Sequence, residues 1–124
     1  MNFGKYAVIT PVVHHFEKEP DWTWTLKPTT SRDEIEMAKF MTKSGESLTW
    51  LEIAFREIAL SFGGTNIEID KKPILHPDAT VAQVEAVLAE MTVDMVTELW
   101  VVVGEANPFW GPRKPQKAQT ETSS

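Results

Sequence analysis

The sequence predicts an α+β fold: an N-terminal β-hairpin packed on a bundle of about four helices, one domain over residues 1–112, and a flexible, disordered polar tail over 113–124. Three observations lead there. Two strand-like runs, YAVITPVV (6–13) and WTWTLK (22–27), come before any helical periodicity. From residue 31 onward, apolar side chains recur at three- and four-residue spacing, in blocks divided by Gly, Pro or capping residues. After Trp110 the composition shifts to Lys, Gln, Thr and Ser, with too little apolar surface to offset the entropy of ordering. A chain of 124 residues buries roughly two-thirds of its unfolded surface in one core and leaves little room for a second domain.

The first run is rich in β-branched residues, and Pro11 confines it to a sheet edge or a strand end. In the second, Trp22, Trp24 and Leu26 share one face while Thr23, Thr25 and Lys27 take the other, until Pro28 stops it. A lone hairpin is marginal in water, so its Trp face needs helices to cover it. Ser31 and Glu34 have capping-box spacing and open a helix that ends near Lys43, before Gly45. Thr49 and Glu52 repeat that spacing ahead of a widely apolar helix over 48–62, which the Gly63-Gly64 pair is placed to stop. Within it, Glu52 and Arg56 have the spacing of an i,i+4 ion pair.

Residues 65–70 alternate weakly and read as a short extended segment, and 71–78, with Pro73 and Pro77, as a loop. Thr80 and Gln83 open a third helix running to about Met91. Thr92 caps a fourth, in which Val96, Leu99, Trp100 and Val103 form the apolar stripe and Gly104 marks the end. LWVVV taken alone suits a strand; the spacing of those four residues favours helix. The run Asn107 to Pro112 is a turn-rich aromatic segment.

The chain has no cysteine, which removes disulfides, thiolate metal sites and cysteine nucleophiles, and fits a cytosolic setting. Residues 1–10 carry no long apolar stretch, so no signal peptide is expected, and no run suits a membrane span. Net charge is −6; Arg113, Lys114 and Lys117 against Glu121 give residues 113–124 a charge of +2, which leaves −8 on the remainder. An acidic body disfavours nucleic acid, whose binding draws on Lys and Arg neutralising phosphates.

Candidate chemistry is sparse. His14 and His15 are adjacent on a strand and so face opposite ways, and only His76 accompanies them, which makes no zinc spacing. A Glu57 turned inward beside Arg56 would form a buried pair of structural character. The serines lack nucleophile-elbow glycines, and Gly63-Gly64 follows a helix, whereas a phosphate loop precedes one. No catalytic, cofactor-binding or metal-ligating residue is assigned, and the chain is not expected to be an enzyme.

The five tryptophans are the unusual feature. Trp50 and Trp100 fall on helical apolar stripes and, with Phe55, are expected in the core. Trp22 and Trp24 are expected half-buried on the hairpin. Phe109 and Trp110 either fold back over the core or stay available as anchors, because aromatic residues dominate interface hot spots. The expected partner contacts are Trp22, Trp24, Phe109 and Trp110.

The segments WTWTLKPTTSRDEIEMAKF, WLEIAFREIALSFGGTNI and ELWVVVGEANPFWGP, together spanning residues 22–112, resemble the tail assembly chaperones encoded beside the tape-measure gene of long-tailed bacteriophages. The resemblance implies a factor of the host cell cytoplasm that binds the tape-measure protein and tail-tube subunits and assists tail assembly by shielding apolar helical surface; from charge, hydropathy and the missing motifs, no cofactor, nucleic acid or membrane is expected. Homo-oligomers fit such a role. The alternative is a virion structural component, a head–tail completion or minor tail protein.

Overall fold

The computed structural model describes residues 10–44, 47–107 and 109–112. Residues 6–9 of the first predicted strand, Gly45, Pro108 and the tail 113–124 lie outside the described residues. The elements run β1 (Val12–His15), β2 (Thr23–Leu26), α1 (Ser31–Ser44), α2 (Trp50–Leu60), β3 (Phe62–Thr65), β4 (Glu68–Ile69), β5 (Lys72–Pro73), α3 (Val81–Leu88) and α4 (Val93–Ala106). The α+β class and the N-terminal hairpin on four helices are as expected. The fourth helix runs straight through Leu99–Val103.

β1 and β2 pair antiparallel, with His14 opposite Trp24 and Val12 opposite Leu26. The sheet has a third member: β3 pairs antiparallel with the other edge of β2, with Leu26 opposite Phe62 and Trp24 opposite Thr65 across a bulge at Thr25/Leu26. This corrects the reading of 61–64 as helix end and stop. The helix closes at Ser61, whose hydroxyl donates to the Glu57 carbonyl at 2.8 Å and whose carbonyl accepts from Lys27 N at 2.8 Å. Gly63 and Gly64 then form strand. A Cβ on Gly63 would sit 3.1 Å from Thr25 Cγ2, and Gly64 alone of the two holds a positive φ, +133°. The pair therefore lets the backbone press against β2 directly after a helix.

Caps set the helix starts. Thr49 accepts from Glu52 N while Glu52 reaches back to the Thr49 amide, and Thr80 and Gln83 do the same. Thr92 accepts from Met95 N. At α1 the cap lies one residue earlier than predicted: Thr30, not Ser31, exchanges bonds with Asp33, the Asp33 carboxylate accepting from Thr30 N at 2.9 Å. Gly104 does not end α4, which continues to an Asn107 cap whose amide donates to the Val103 carbonyl at 2.8 Å. Residues 68–73, read from sequence as extended segment and loop, form a two-residue hairpin. Asp70 and Lys71 both take positive φ, the type I′ requirement that usually selects Asn or Gly.

α2 occupies the middle, touching α1, α3 and α4, while α4 also lies against β1 and β2. The core between sheet and helices comprises Trp24, Leu26, Ile58, Val84, Leu88, Val96, Leu99 and Val103, all essentially free of solvent exposure. Trp24 meets Phe62 edge-on at 5.2 Å between ring centroids. Arg56 does not pair with Glu52 as its spacing suggested. Glu52 is held by the Thr49 cap, and Arg56 turns to Glu85 of α3, Nε to Oε2 2.8 Å, with its guanidinium 4.1 Å over the Phe40 ring. Among the described residues no helix is long and apolar enough to cross a membrane.

Candidate binding groove

A groove of about 700 Å³ opens between the β1–β2 connection and the outer face of α4. Its wall is built from a folded loop. Phe16 N donates to the Trp22 carbonyl at 3.2 Å and Trp22 N to the Glu19 carbonyl at 2.9 Å, which closes residues 16–22 on themselves. Phe16 is buried and meets both His14 and Trp22 edge-on, with centroid distances of 5.2 and 6.5 Å. Glu98 fastens this loop to α4: Oε1 accepts from Glu17 N at 3.1 Å and lies 2.7 Å from His14 Nε2. An ionised carboxylate only accepts, so the ring nitrogen that faces it carries the proton. His15 points the other way, its Nδ1 3.0 Å from the Pro20 carbonyl oxygen, as strand alternation requires.

The floor is apolar. Phe16 and Val102 are buried, Trp22 and Met95 half-buried, and Val101 is 46% exposed. The rim is acidic. Glu17 and Glu19 stand on the loop side, and Asp94 and Glu105 on the helix side, all exposed, with Lys18 the one lysine in the lining. Among the described residues none of those four carboxylates has a cationic partner; Arg56 pairs with Glu85, and the imidazoles of His14 and His76 lie against Glu98 and Asp78. Asp94, Glu98, Val101 and Glu105 recur at helical spacing along one face of α4. That stripe is visible in the sequence as soon as the helix is granted, but attention to tryptophans passes over it.

The four expected contact residues separate. Trp22 lies in the groove. Trp24, expected half-buried, is fully buried, with α4 lying against the hairpin and Phe62 of the third strand edge-on to its ring. Its indole Nε1 has no hydrogen-bond acceptor among the described residues. Trp110 folds back and is buried, whereas its neighbour Phe109 is 90% exposed. Trp24 and Trp110 are therefore structural in this arrangement, and Trp22 and Phe109 remain accessible.

The turn that separates Phe109 from Trp110 is pinned. Asn107, buried, accepts at Oδ1 from Thr29 N at 2.6 Å, and Trp110 N donates to the Asn107 carbonyl at 2.9 Å. Gly111 adopts φ +89° and packs so tightly on α4 that a Cβ would lie 2.8 Å from Gly104 Cα. Beneath it is Glu57, buried as one sequence reading allowed, but not beside Arg56. Its Oε1 accepts from Trp100 Nε1 at 2.7 Å and from Gly111 N at 2.9 Å. Trp50, expected in the core, is instead 44% exposed and stacks on Trp100 of α4 at 5.5 Å between ring centroids.

Among the described residues no group of three or more His, Asp or Glu side chains is placed to hold a metal ion. Compared with known proteins, the chain matches no family model, no curated protein and no solved structure.

Proposed function

We propose that this protein binds another protein and, like the tail assembly chaperones it resembles in sequence, shields the apolar helical surface of a tape-measure protein during tail-tube assembly in the host cytoplasm. The observation that carries the reading is the open groove along α4, with Trp22, Met95 and Val101 presenting apolar surface to solvent between two polar walls. Exposed apolar surface bordered by charge is the usual form of a protein-binding site, and a groove along a helix suits the apolar face of another helix. Binding of this kind is reversible. Moderate affinity serves it, since polymerising tube subunits must displace the chaperone.

Co-expression with a phage tape-measure protein is expected to raise that protein's soluble fraction and to co-purify it. Val101→Glu, which places a charge on the groove floor at an exposed helix position, is expected to abolish both effects while leaving the fold intact. Neither solubility gain nor co-purification with the unaltered chain would overturn the reading. The second reading, a virion structural component, draws on Phe109, an exposed aromatic on a pinned turn of the kind a permanent contact uses. Stoichiometric presence of the chain in purified particles, read by mass spectrometry, would favour it.

A further inference from the structure

We infer that the groove selects a cationic occupant: an amphipathic helix whose apolar stripe is flanked by Lys or Arg. The inference rests on the binding reading above and adds the chemistry of the partner. The apolar floor alone would accept any hydrophobic helix. The rim is what discriminates, because Glu17 and Glu19 on one wall and Asp94 and Glu105 on the other have no cationic partner among the described residues, against Lys18 alone of opposite sign. Glu98, between them, is already engaged by His14 and the Glu17 amide and serves to hold the two walls together.

The distances suit a helix. Asp94 to Glu105 is eleven residues of α4, about 16 Å, which matches roughly three turns of an occupant lying alongside. Apolar anchors at i, i+4 and i+7 of the occupant then face Trp22, Met95 and Val101, and basic residues beside that stripe meet carboxylates on both rims. Uncompensated carboxylates on both sides of an apolar trough repel an acidic or neutral-polar flank and attract a basic one. Charge therefore acts here on partner choice and on association rate more than on total affinity.

The test uses the full chain and two fluorescein-labelled designed helical peptides about 18 residues long. They are identical in their Leu stripe and differ only in carrying Lys or Gln at the flanking positions. By anisotropy at low salt the Lys peptide is expected to bind at least about ten-fold more tightly, the sum of several exposed charge pairs. The difference should shrink strongly when salt is raised to about 300 mM. It should also vanish in a Glu17→Gln, Glu19→Gln, Asp94→Asn, Glu105→Gln variant, whose four positions are exposed and leave the core untouched.

Equal binding of the two peptides would overturn the inference while leaving a charge-blind binding groove standing. A preference that survives in the four-fold variant would overturn it by placing cation recognition elsewhere. Binding of neither peptide would overturn it as well, and the co-expression experiment then decides separately whether the chain binds a partner at all. Two further outcomes name different occupants and equally overturn it: a dimer of the unaltered chain that the four-fold variant dissociates, and peptide binding that appears only after removal of residues 113–124.

Discussion

The buried carboxylate of Glu57 accepts a hydrogen bond from the backbone amide of Gly111 at 2.9 Å, which ties the end of the described chain to the central helix. The same oxygen accepts from the Trp100 indole at 2.7 Å, so one side chain of α2 orients both α4 and the turn that follows it. Glu57→Ala leaves two inward-facing donors without this acceptor and is expected to lower unfolding free energy by about 2–4 kcal/mol. Glu57→Gln, which keeps a carbonyl oxygen in place, should lose less. Urea denaturation of both variants checks the order, and a near-neutral Glu57→Ala would sink the account.

Gly111 and Gly64 both hold positive φ, +89° and +133°, yet they differ in surroundings. Gly64→Ala meets nothing within 4 Å and faces backbone strain alone, about 1–2 kcal/mol. Gly111→Ala adds a clash with the α4 backbone, where no flexible side chain can yield. It should be the more destabilising of the two and should release Trp110 to solvent. Iodide quenching of tryptophan fluorescence reads that release, and equal melting temperatures for the two variants would contradict it.

The cap of α1 supplies a one-residue register test. Thr30→Ala removes the side chain that exchanges bonds with Asp33 and is expected to cost about 1 kcal/mol. Ser31→Ala, one residue inside the helix, should be neutral within about 0.5 kcal/mol. The reverse order in thermal melts would return the cap to Ser31.

Arg56 offers a test of tertiary against local pairing. A double-mutant cycle between Arg56 and Glu85 is expected to give a favourable coupling of up to about 1 kcal/mol, as for a partly exposed pair. The cycle between Arg56 and Glu52 should give about zero. Arg56→Lys should recover little of the first coupling, because lysine has neither the fork that meets Glu85 nor the plane that covers Phe40.

Trp24 is buried with no acceptor for its indole N–H among the described residues. Trp24→Phe keeps most of the ring volume and removes that donor, so it is expected to change stability by under about 1.5 kcal/mol. Trp24→Ala empties the space against Phe62 and should cost about 3–5 kcal/mol. Equal losses in denaturant titrations would show that packing of the ring contributes little there.

What the sequence determined by itself was local. Thr49 with Glu52 and Thr80 with Gln83 announce helix starts because a hydroxyl and an amide or carboxyl three residues apart satisfy end donors without help from the rest of the chain. The alternation of WTWTLK and the stripe Val96, Leu99, Trp100, Val103 announce a strand and a helix because each period matches one geometry. Only the tertiary structure decided the partners of those elements. Gly63-Gly64 carries the signature of a helix stop, and it becomes strand because the open edge of β2 stands beside it. Arg56 has a carboxylate four residues away and takes Glu85 instead, since the fold brings up a better-placed acceptor together with the Phe40 ring. Of the two adjacent aromatics on the last turn, Trp110 goes inward and Phe109 outward. That choice belongs to Glu57, Gly104 and Gly111, residues far apart in the chain, whose contact exists only once α2 and α4 have packed. The groove has the same origin: its two walls lie some eighty residues apart, joined through Glu98 to His14 and Glu17, and no local period encodes that meeting.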